Sequence, residues 1–401
     1  MIKEEKISSV FEARPQFNVE EYIIREHFQR ELLRSLSRFR YILISGESGC
    51  GKTWLTNYVL SEKKHKFINL AEIKMLGGFL QFFESEVGDV MVERCETMKT
   101  EATAIVATGG LESNKTYQHV NHYLDLFLKK YKNHIIVLDN FESIIKSEEI
   151  LNDLSCIITM ADDPKIMDNG VKFIIIGATS DLARYFQEMP NYQTIANRVS
   201  VVKVAGFNSI ECEQYISRQF KECGFEIVES GKISEDIRKW TDGLPQSVCD
   251  LCYEIAISFF DASKEKIRFG ENEYRLASDK WMNKRLIAEY SVISGLYNDN
   301  IKTAKQNNYI LYALKKYKCT TFSHTQIQAY IDELTPNKEI KGLTKTGIKK
   351  YLQKLSETDK NRNILVQIGN DDFKIKSYKT YACIEYYIDI DEEQVKLKEV
   401  V

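Results

Sequence analysis

One eight-residue stretch limits the possible folds of this chain more than any other feature. An apolar run over residues 41–44 precedes it, and an amphipathic stretch with Leu55, Tyr58 and Val59 follows it. Its residues are Gly46, Glu47, Ser48, Gly49, Cys50, Gly51, Lys52 and Thr53, which match the pattern GxxxxGK[ST]. Between a strand and a helix, such a loop turns backbone N–H groups toward a phosphate, and the helix N-terminus adds to the attraction. The sequence therefore predicts a phosphate-binding loop within an α/β domain.

The loop and a second apolar run predict a magnesium-dependent nucleotide site. Lys52 is expected to reach the β and γ phosphates, and the Thr53 hydroxyl is expected to bind Mg²⁺. The run over residues 134–138 ends in Asp139. A carboxylate at the C-terminal end of a buried parallel strand lies where the metal must be held beside the phosphates, so Asp139 is the second candidate ligand.

Two residues after Asp139 bear on hydrolysis. Asn140 occupies the position where many ATPases with this phosphate-binding loop carry a glutamate. The amide of Asn140 can orient a water molecule but cannot take its proton. Glu142 is the candidate base; the alternative is a solvated carboxylate at a helix start. We therefore expect slow hydrolysis, with nucleotide occupancy acting as a switch, and turnover below about 1 per second.

A third apolar run, over residues 173–176, introduces candidate sensor residues. Thr179 and Ser180 follow this run and are candidates to sense the γ-phosphate, although Ser180 is equally suited to cap a following helix. Arg198 precedes another apolar run and is a candidate to reach a phosphate in its own or a neighbouring subunit; Arg184 is less favoured.

Together these residues resemble the P-loop ATPases of the AAA+ and STAND type, including the archaeal-ATPase and origin-recognition branches. The resemblance covers residues 18–260. It includes Ile24-Arg25-Glu26, which is similar to the "GRE" entry motif except that isoleucine replaces glycine, and Leu138 to Glu142, which is similar to bacterial STAND proteins. Gly243-Leu244-Pro245 is similar to the "GLP" of the helical lid in those proteins.

The resemblance implies an α/β fold with a three-layer αβα P-loop core around a parallel sheet, followed by a helical lid. It implies ATP as the nucleotide, with Mg²⁺, and adds Arg25, Trp54 and Pro245 to the nucleotide-contacting residues. Pro245 is equally suited to start a helix. The expected domains are a core over residues 1–205, a lid over 206–285 and a C-terminal domain over 286–401.

The C-terminal third predicts a winged helix. One connecting helix is expected over residues 281–297 and another over 307–317, followed by helices over 323–331 and 344–355 and a hairpin of runs 364–368 and 373–378. In the 344–355 helix and the hairpin, the candidate contacts to double-stranded DNA are Lys349, Lys350, Lys354, Lys374 and Lys376. The alternative is a winged helix that packs on the nucleotide domain or a partner.

Charge and cysteine content support this division. The whole chain has a formal charge of -3, yet residues 301–380 carry 16 Lys and Arg against 7 Asp and Glu. Nine scattered cysteines, with Cys249 and Cys252 as the only close pair, favour a reducing cytoplasm over a disulfide framework or a metal site. Apolar runs are too short to cross a membrane.

We therefore expect a cytoplasmic ATPase switch that assembles on DNA or with an effector protein, and an ATP-dependent homo-oligomer in some states. Mobile-element, replication and antiviral-defence systems use proteins of this resemblance. The rival interpretation is a nucleotide-stabilised scaffold or transcription regulator with negligible hydrolysis.

Overall fold

The computed structural model describes residues 2–12, 17–87, 122–160, 169–178, 182, 199–297, 305–318, 320–334, 344–357, 363–368, 370–391 and 394–398. Backbone packing divides the chain into two units. The sheet unit contains residues 13–215 and 243–247, and the helical unit contains residues 1–12, 216–242 and 248–401. Both units thus take residues from the expected lid, and the three-domain division stays a prediction.

A five-stranded parallel sheet organises the sheet unit. Its strands are β1 (Tyr41–Ser45), β2 (His65–Asn69), β3 (Ile135–Asp139), β4 (Lys172–Gly177) and β5 (Val199–Lys203). The spatial order is β2-β3-β4-β1-β5, and every neighbouring pair is parallel. The predicted α/β fold with a parallel sheet is therefore confirmed.

The side chains of these strands point alternately to the two faces of the sheet and build two apolar cores. Leu43 and Ile175 belong to one cluster, whereas their neighbours Ile44 and Ile176 belong to the other. Successive residues of a strand point to opposite faces, so the clusters lie on the two faces of the sheet and make three layers. The helices of this unit are α2 (Glu26–Arg38), α3 (Lys52–Leu60), α4 (Leu70–Leu76), α5 (79–87), α6 (122–130) and α7 (Glu148–Met160). A further helix, α8 (Ser209–Cys223), belongs to this unit up to Tyr215.

The helical unit begins with α1 (Glu4–Val10) and continues through a helical array into a small mixed domain. The array contains α9 (Ser230–Thr241), α10 (Pro245–Asp261), α11 (Asn272–Arg285) and α12 (Ile287–Leu296), with the short parallel pair β6 (Glu226–Val228) and β7 (Lys266–Arg268). The C-terminal part contains α13 (Lys305–Ala313), β8 (Phe322–Ser323), α14 (His324–Leu334), α15 (Lys345–Ser356), β9 (Leu365–Ile368), β10 (Asp372–Ile375), α16 (Tyr378–Tyr387), β11 (Ile388–Asp391) and β12 (Gln394–Leu397).

Polar contacts join the two parts of the helical unit. Tyr387 on α16 donates to Asn283 Oδ1 on α11 at 2.6 Å, and Lys239 on α9 forms an ion pair with Glu385 at 3.1 Å. The strands β8, β10 and β9 form one antiparallel sheet in that order, and β11 and β12 form a separate hairpin.

Two expectations for the C-terminal third were wrong. The single connecting helix over residues 281–297 is two helices, which break at Leu286. The run expected to stay extended through Tyr378 turns into α16 there, because the Ser377 side chain accepts a hydrogen bond from the Thr380 amide and caps a helix. In the described part of the chain, no helix has the length and apolarity needed to span a bilayer.

Candidate nucleotide site

The phosphate-binding loop lies between the end of β1 and the start of α3. Gly49 and Gly51 have φ angles of 81° and 87°, in the left-handed region that favours glycine. A Cβ at Gly46 would lie 2.3 Å from the backbone oxygen of Val204. The three glycines therefore permit two left-handed turns and one close approach to the residue that follows β5.

Lys52 and Thr53 open α3 beside the loop. The Lys52 ammonium donates to the carbonyl oxygens of Gly46 at 3.0 Å and Glu47 at 2.9 Å, so the side chain folds back over the loop. The Thr53 hydroxyl donates to Asp139 Oδ2 at 2.8 Å. Two residues that are 86 positions apart in the chain thus meet, and they are the two proposed metal ligands.

A pair of asparagines borders the Asp139 carboxylate. Asn140 has a φ of 65°, its amide N–H donates to Asp139 Oδ1 at 2.7 Å, and its side chain donates to Asn69 Oδ1 at 3.4 Å. Asn69 ends β2 and lies opposite Asp139 in the strand register. Asn69 was not predicted from the sequence; the signal that points to it is a polar residue that ends the strand next to the Asp139 strand.

Glu142 lies in a short 3-10 helix, Phe141–Ser143, one turn beyond Asp139. Its side chain is half-buried, whereas the preceding Phe141 is fully buried in the core. Among the described residues no side chain or backbone group forms a hydrogen bond or ion pair with the Glu142 carboxylate. Glu142 thus follows Asp139 by three positions and lies in the turn directly after β3.

Arg25 lies against the loop, but as a buried support. Its side chain is 2% exposed. One guanidinium nitrogen donates to the Cys50 carbonyl at 2.9 Å, and another donates to the carbonyls of Ala205 and, at 3.1 Å, Gly206. Glu211 provides a carboxylate at 3.6 Å. The guanidinium therefore ties the loop to the chain that follows β5.

Aromatic side chains surround this support. Phe28 and Phe207 lie within cation–π distance of the Arg25 guanidinium, at 4.7 and 5.6 Å from the ring centroids. Tyr22 stacks on Tyr58 of α3 at 4.4 Å between centroids, and burial raises the pKa of Tyr22 to about 12, so the phenol stays neutral. Trp54 of α3 is half-buried.

The predicted lid motif also contacts the loop within the sheet unit. A Cβ at Gly51 would lie 3.7 Å from Pro245, and one at Gly49 would lie 3.0 Å from Gln246 Oε1. The backbone amide of Gln246 donates to the Gly49 carbonyl at 3.3 Å. Pro245 is the first residue of α10, so it both starts a helix and lies beside the loop. Gln246 is a loop contact that was not predicted from the sequence.

Comparison with known proteins agrees with this geometry. Residues 36–186, which span β1, the loop, α3 and the Asp139 strand, match the profile of the AAA domain family. Over residues 36–186 the chain is therefore similar to an AAA domain and carries the P-loop pattern. A comparison with curated proteins finds no significant match.

Two solved structures share the fold of the AAA domain and its C-terminal extension. A Walker-type ATPase of Pyrococcus abyssi has a TM-score of 0.53 at 16% identity, covering 94% of this chain and 99% of that chain. The ORC2 protein of Aeropyrum pernix, described as ADPNP–ADP complexes, has a TM-score of 0.50 at 14% identity, covering 94% and 95%. At these identities the likeness shows a common fold.

The remaining candidates of the AAA domain lie outside the described residues. They are Thr179, Ser180, Arg184 and Arg198. Glu47 and Ser48 lie in the loop and are exposed, whereas Cys50 is buried, and burial raises the pKa of its thiol.

The five candidate lysines for DNA fall into two groups. Lys350, Lys354 and Lys374 are exposed. Lys349 forms an ion pair with Asp371, and Lys376 donates to Asn363 Oδ1 at 2.6 Å. The ammonium groups of Lys349 and Lys376 therefore already have partners within the chain.

The cysteines that the structure describes form no metal site. In the described part of the chain, seven cysteines, including Cys249 and Cys252, form no disulfide. No set of three or more His, Cys, Asp and Glu side chains among the described residues is arranged to hold a metal ion.

Proposed function

We propose that the chain is an ATP-binding, Mg²⁺-dependent ATPase. The observation that carries this proposal is the 2.8 Å contact between the Thr53 hydroxyl and the Asp139 carboxylate beside the glycine loop. A hydroxyl and a carboxylate are hard oxygen ligands, which suit Mg²⁺, and the adjoining loop turns N–H groups and Lys52 toward an anion. The residues thus fit both the metal and the triphosphate.

Each residue of the site would have a separate role. Lys52 and the loop amides bind phosphate oxygens, and Thr53 and Asp139 hold the metal, which neutralises negative charge on the phosphates. Asn140 and Asn69 hold the Asp139 carboxylate in place through the Asn140 amide and the bond between the two side chains. Trp54 and Pro245 would contact the nucleotide, whereas Arg25 would support the loop from its buried position.

Glu142 is the proposed general base. Its carboxylate can accept the proton of a water, whereas the amide of Asn140 can only orient one. Since the base stands two residues beyond its usual place, we expect turnover below about 1 per second. The nucleotide then acts mainly as a switch, with Thr179 and Ser180 as γ-phosphate sensors and Arg198 acting across an ATP-dependent homo-oligomer interface.

We further propose that the C-terminal part is a winged helix that binds double-stranded DNA or an effector protein. The order of α13, β8, α14, α15, β9 and β10 supports it, as does the basic character of residues 301–380. The setting would be mobile-element transposition, replication or antiviral defence. Scattered cysteines, which form no disulfide among the described residues, favour the cytoplasm as its location.

The experiment that tests the ATPase proposal is a steady-state phosphate-release assay with and without double-stranded DNA. We expect slow, Mg²⁺-dependent turnover by the wild type, stimulated by DNA. Lys52→Ala is expected to abolish it by removing the phosphate contact, whereas Glu142→Gln should reduce turnover at least about 100-fold and leave ATP affinity unchanged. The matched control is Lys63→Ala, because Lys63 is exposed and lies two residues before β2.

The assay also separates the rival function. The amide at Asn140 favours a nucleotide-stabilised scaffold or transcription regulator as the second candidate. ATP binding that raises the melting temperature, together with DNA binding and no measurable turnover in any variant, would support that function. Turnover that survives Lys52→Ala would contradict both.

A further inference from the structure

A groove on the sheet unit lies apart from the nucleotide site. It encloses about 350 Å³ between α2 and β5, and its walls include Arg30, Arg34, Arg38, Ser35, Phe39 and Ser200. The hydroxyls of Ser35 and Ser200 lie 2.8 Å apart and join the two walls. None of its lining residues belongs to the glycine loop or to β3, so the AAA chemistry does not account for it. We call it the arginine groove.

The groove is positively charged, and its central arginine is available. Among the described residues, no carboxylate or other partner contacts the Arg34 side chain, and Arg38 contacts only the Phe39 ring, at 5.5 Å. Arg30 lies 3.5 Å from Glu26 in an exposed pair, which contributes little. Glu31, beside His27 at 3.8 Å, is the single carboxylate of the wall. The three guanidinium groups outnumber it and can bind carboxylates or phosphates through two parallel hydrogen bonds.

The spacing of the arginines matches an extended peptide. Arg30, Arg34 and Arg38 recur every four residues, which places them about 6 Å apart along the helix axis. Alternate side chains on one face of an extended strand are about 6.6 Å apart.

The opposite wall offers an unpaired strand edge. β5 is the last strand of the sheet, and in the part of the chain that the structure describes no strand pairs with its outer side. Val201 in the middle of β5 is 47% exposed. Such an edge binds extended peptides through backbone hydrogen bonds, while neighbouring pockets select side chains.

We propose that the arginine groove binds an extended acidic segment of a partner protein, with carboxylates at alternate positions, as an added strand on β5. The carboxylates face Arg30, Arg34 and Arg38, and the peptide backbone pairs with the β5 edge. The proposal adds a protein-docking surface to the AAA domain. It is tested independently of nucleotide binding, because none of the residues that line the groove belongs to the glycine loop.

A fluorescence-anisotropy titration of the full chain tests it. The probe is a fluorescein-labelled twelve-residue peptide of alternating glutamate and valine, at low salt. One control peptide has the same composition with all glutamates in one half, and another alternates glutamate with proline, which cannot donate backbone hydrogen bonds. We expect the first peptide to bind at least about tenfold more tightly than either control.

Variants locate the binding site. Arg34→Ala combined with Arg38→Ala should weaken the first peptide at least about tenfold, because two charge-assisted contacts are lost. The matched control combines Lys63→Ala with Lys64→Ala, exposed cations that precede β2 at the other edge of the sheet, and should leave affinity unchanged. Lys52→Ala should also leave it unchanged, so a failure of the ATPase proposal is distinguishable from a failure of this one.

Hydrogen exchange gives the independent readout. The peptide should slow amide exchange within residues 199–203, which a purely ionic contact to α2 would not do. Equal binding of all three peptides, unchanged affinity in the arginine variant, or absence of binding would overturn the proposal. Another result would also overturn it: a single-stranded or duplex DNA oligonucleotide binds, its affinity falls in the arginine variant, and the peptide does not bind.

Discussion

Arg25 shows how a buried charge can stabilise a functional loop without acting in the reaction. Its guanidinium donates to three backbone carbonyls and faces Glu211, and these acceptors compensate for its removal from water. A buried group of this kind is costly to remove, because its partners are left without donors. The shape of the glycine loop near Cys50 therefore depends on a residue 25 positions earlier in the chain.

Replacing Arg25 tests this dependence. Arg25→Met keeps much of the side-chain volume but removes every donor, so we expect the free energy of unfolding to fall by about 3 kcal/mol. Urea denaturation followed by tryptophan fluorescence measures it, and Arg34→Met, on the exposed side of α2, should change it by less than about 0.5 kcal/mol.

A double variant separates the ion pair from the packing. Glu211→Gln in the Arg25→Met background should cost less than in the wild type, because the carboxylate no longer has its cation. Strict additivity of the two substitutions would show that the pair contributes nothing to the buried support.

At the scale of elements, the glycine loop is held by neighbours on two sides. Gly46 is packed against the Val204 carbonyl, and Gly49 is packed against the Gln246 side chain. A backbone neighbour cannot yield without moving β5, whereas a side chain can be shortened. The two glycines should therefore respond differently to the same pair of substitutions.

Gly49→Ala and Gly46→Ala provide the comparison. Both should weaken binding of a fluorescent ATP analogue at least about tenfold, Gly49→Ala because of its φ of 81° and its 3.0 Å approach to Gln246. Adding Gln246→Gly, which removes both Oε1 and the Cβ that would lie 3.1 Å from the new methyl group, should partly restore binding to Gly49→Ala, since the crowding is relieved and the strain remains. It should not restore Gly46→Ala, and equal rescue of both would contradict the assignment of the clashes.

The elements differ in how much of them the sequence can predict. The strands β1, β3 and β4 are apolar runs that end in a polar residue or glycine, so local sequence predicts them and the glycine motif predicts their common edge. The break at Leu286 carries neither glycine nor proline and was missed. The support by Arg25 joins residues 180 positions apart, and no local pattern specifies such a contact. The contact of Thr53 with Asp139 was predictable because parallel strands and their helices bring both residues to one edge.

At the scale of the whole molecule, the charge is divided unevenly along the chain. Residues 301–401 carry 18 Lys and Arg against 13 Asp and Glu, while the chain as a whole has a formal charge of -3. Within the basic part, internal partners already engage some lysines. Lys349 is paired with Asp371, whereas Lys350 on the same helix is exposed. Any attraction to DNA should therefore be carried unequally by adjacent lysines.

Salt-dependent DNA binding is the measurement that resolves these lysines. Lys350→Ala should weaken binding to a 30-base-pair duplex and reduce the slope of log K against log salt by about 0.9, because one phosphate contact is lost. Lys349→Ala should have a smaller effect, since Asp371 already neutralises much of that charge. Asp371→Asn should strengthen binding by releasing Lys349, and Asp389→Asn in the β11 hairpin is its control for the change in net charge. Equal effects at Lys349 and Lys350, or equal gains from the two asparagine variants, would show that net charge and not this surface determines the affinity.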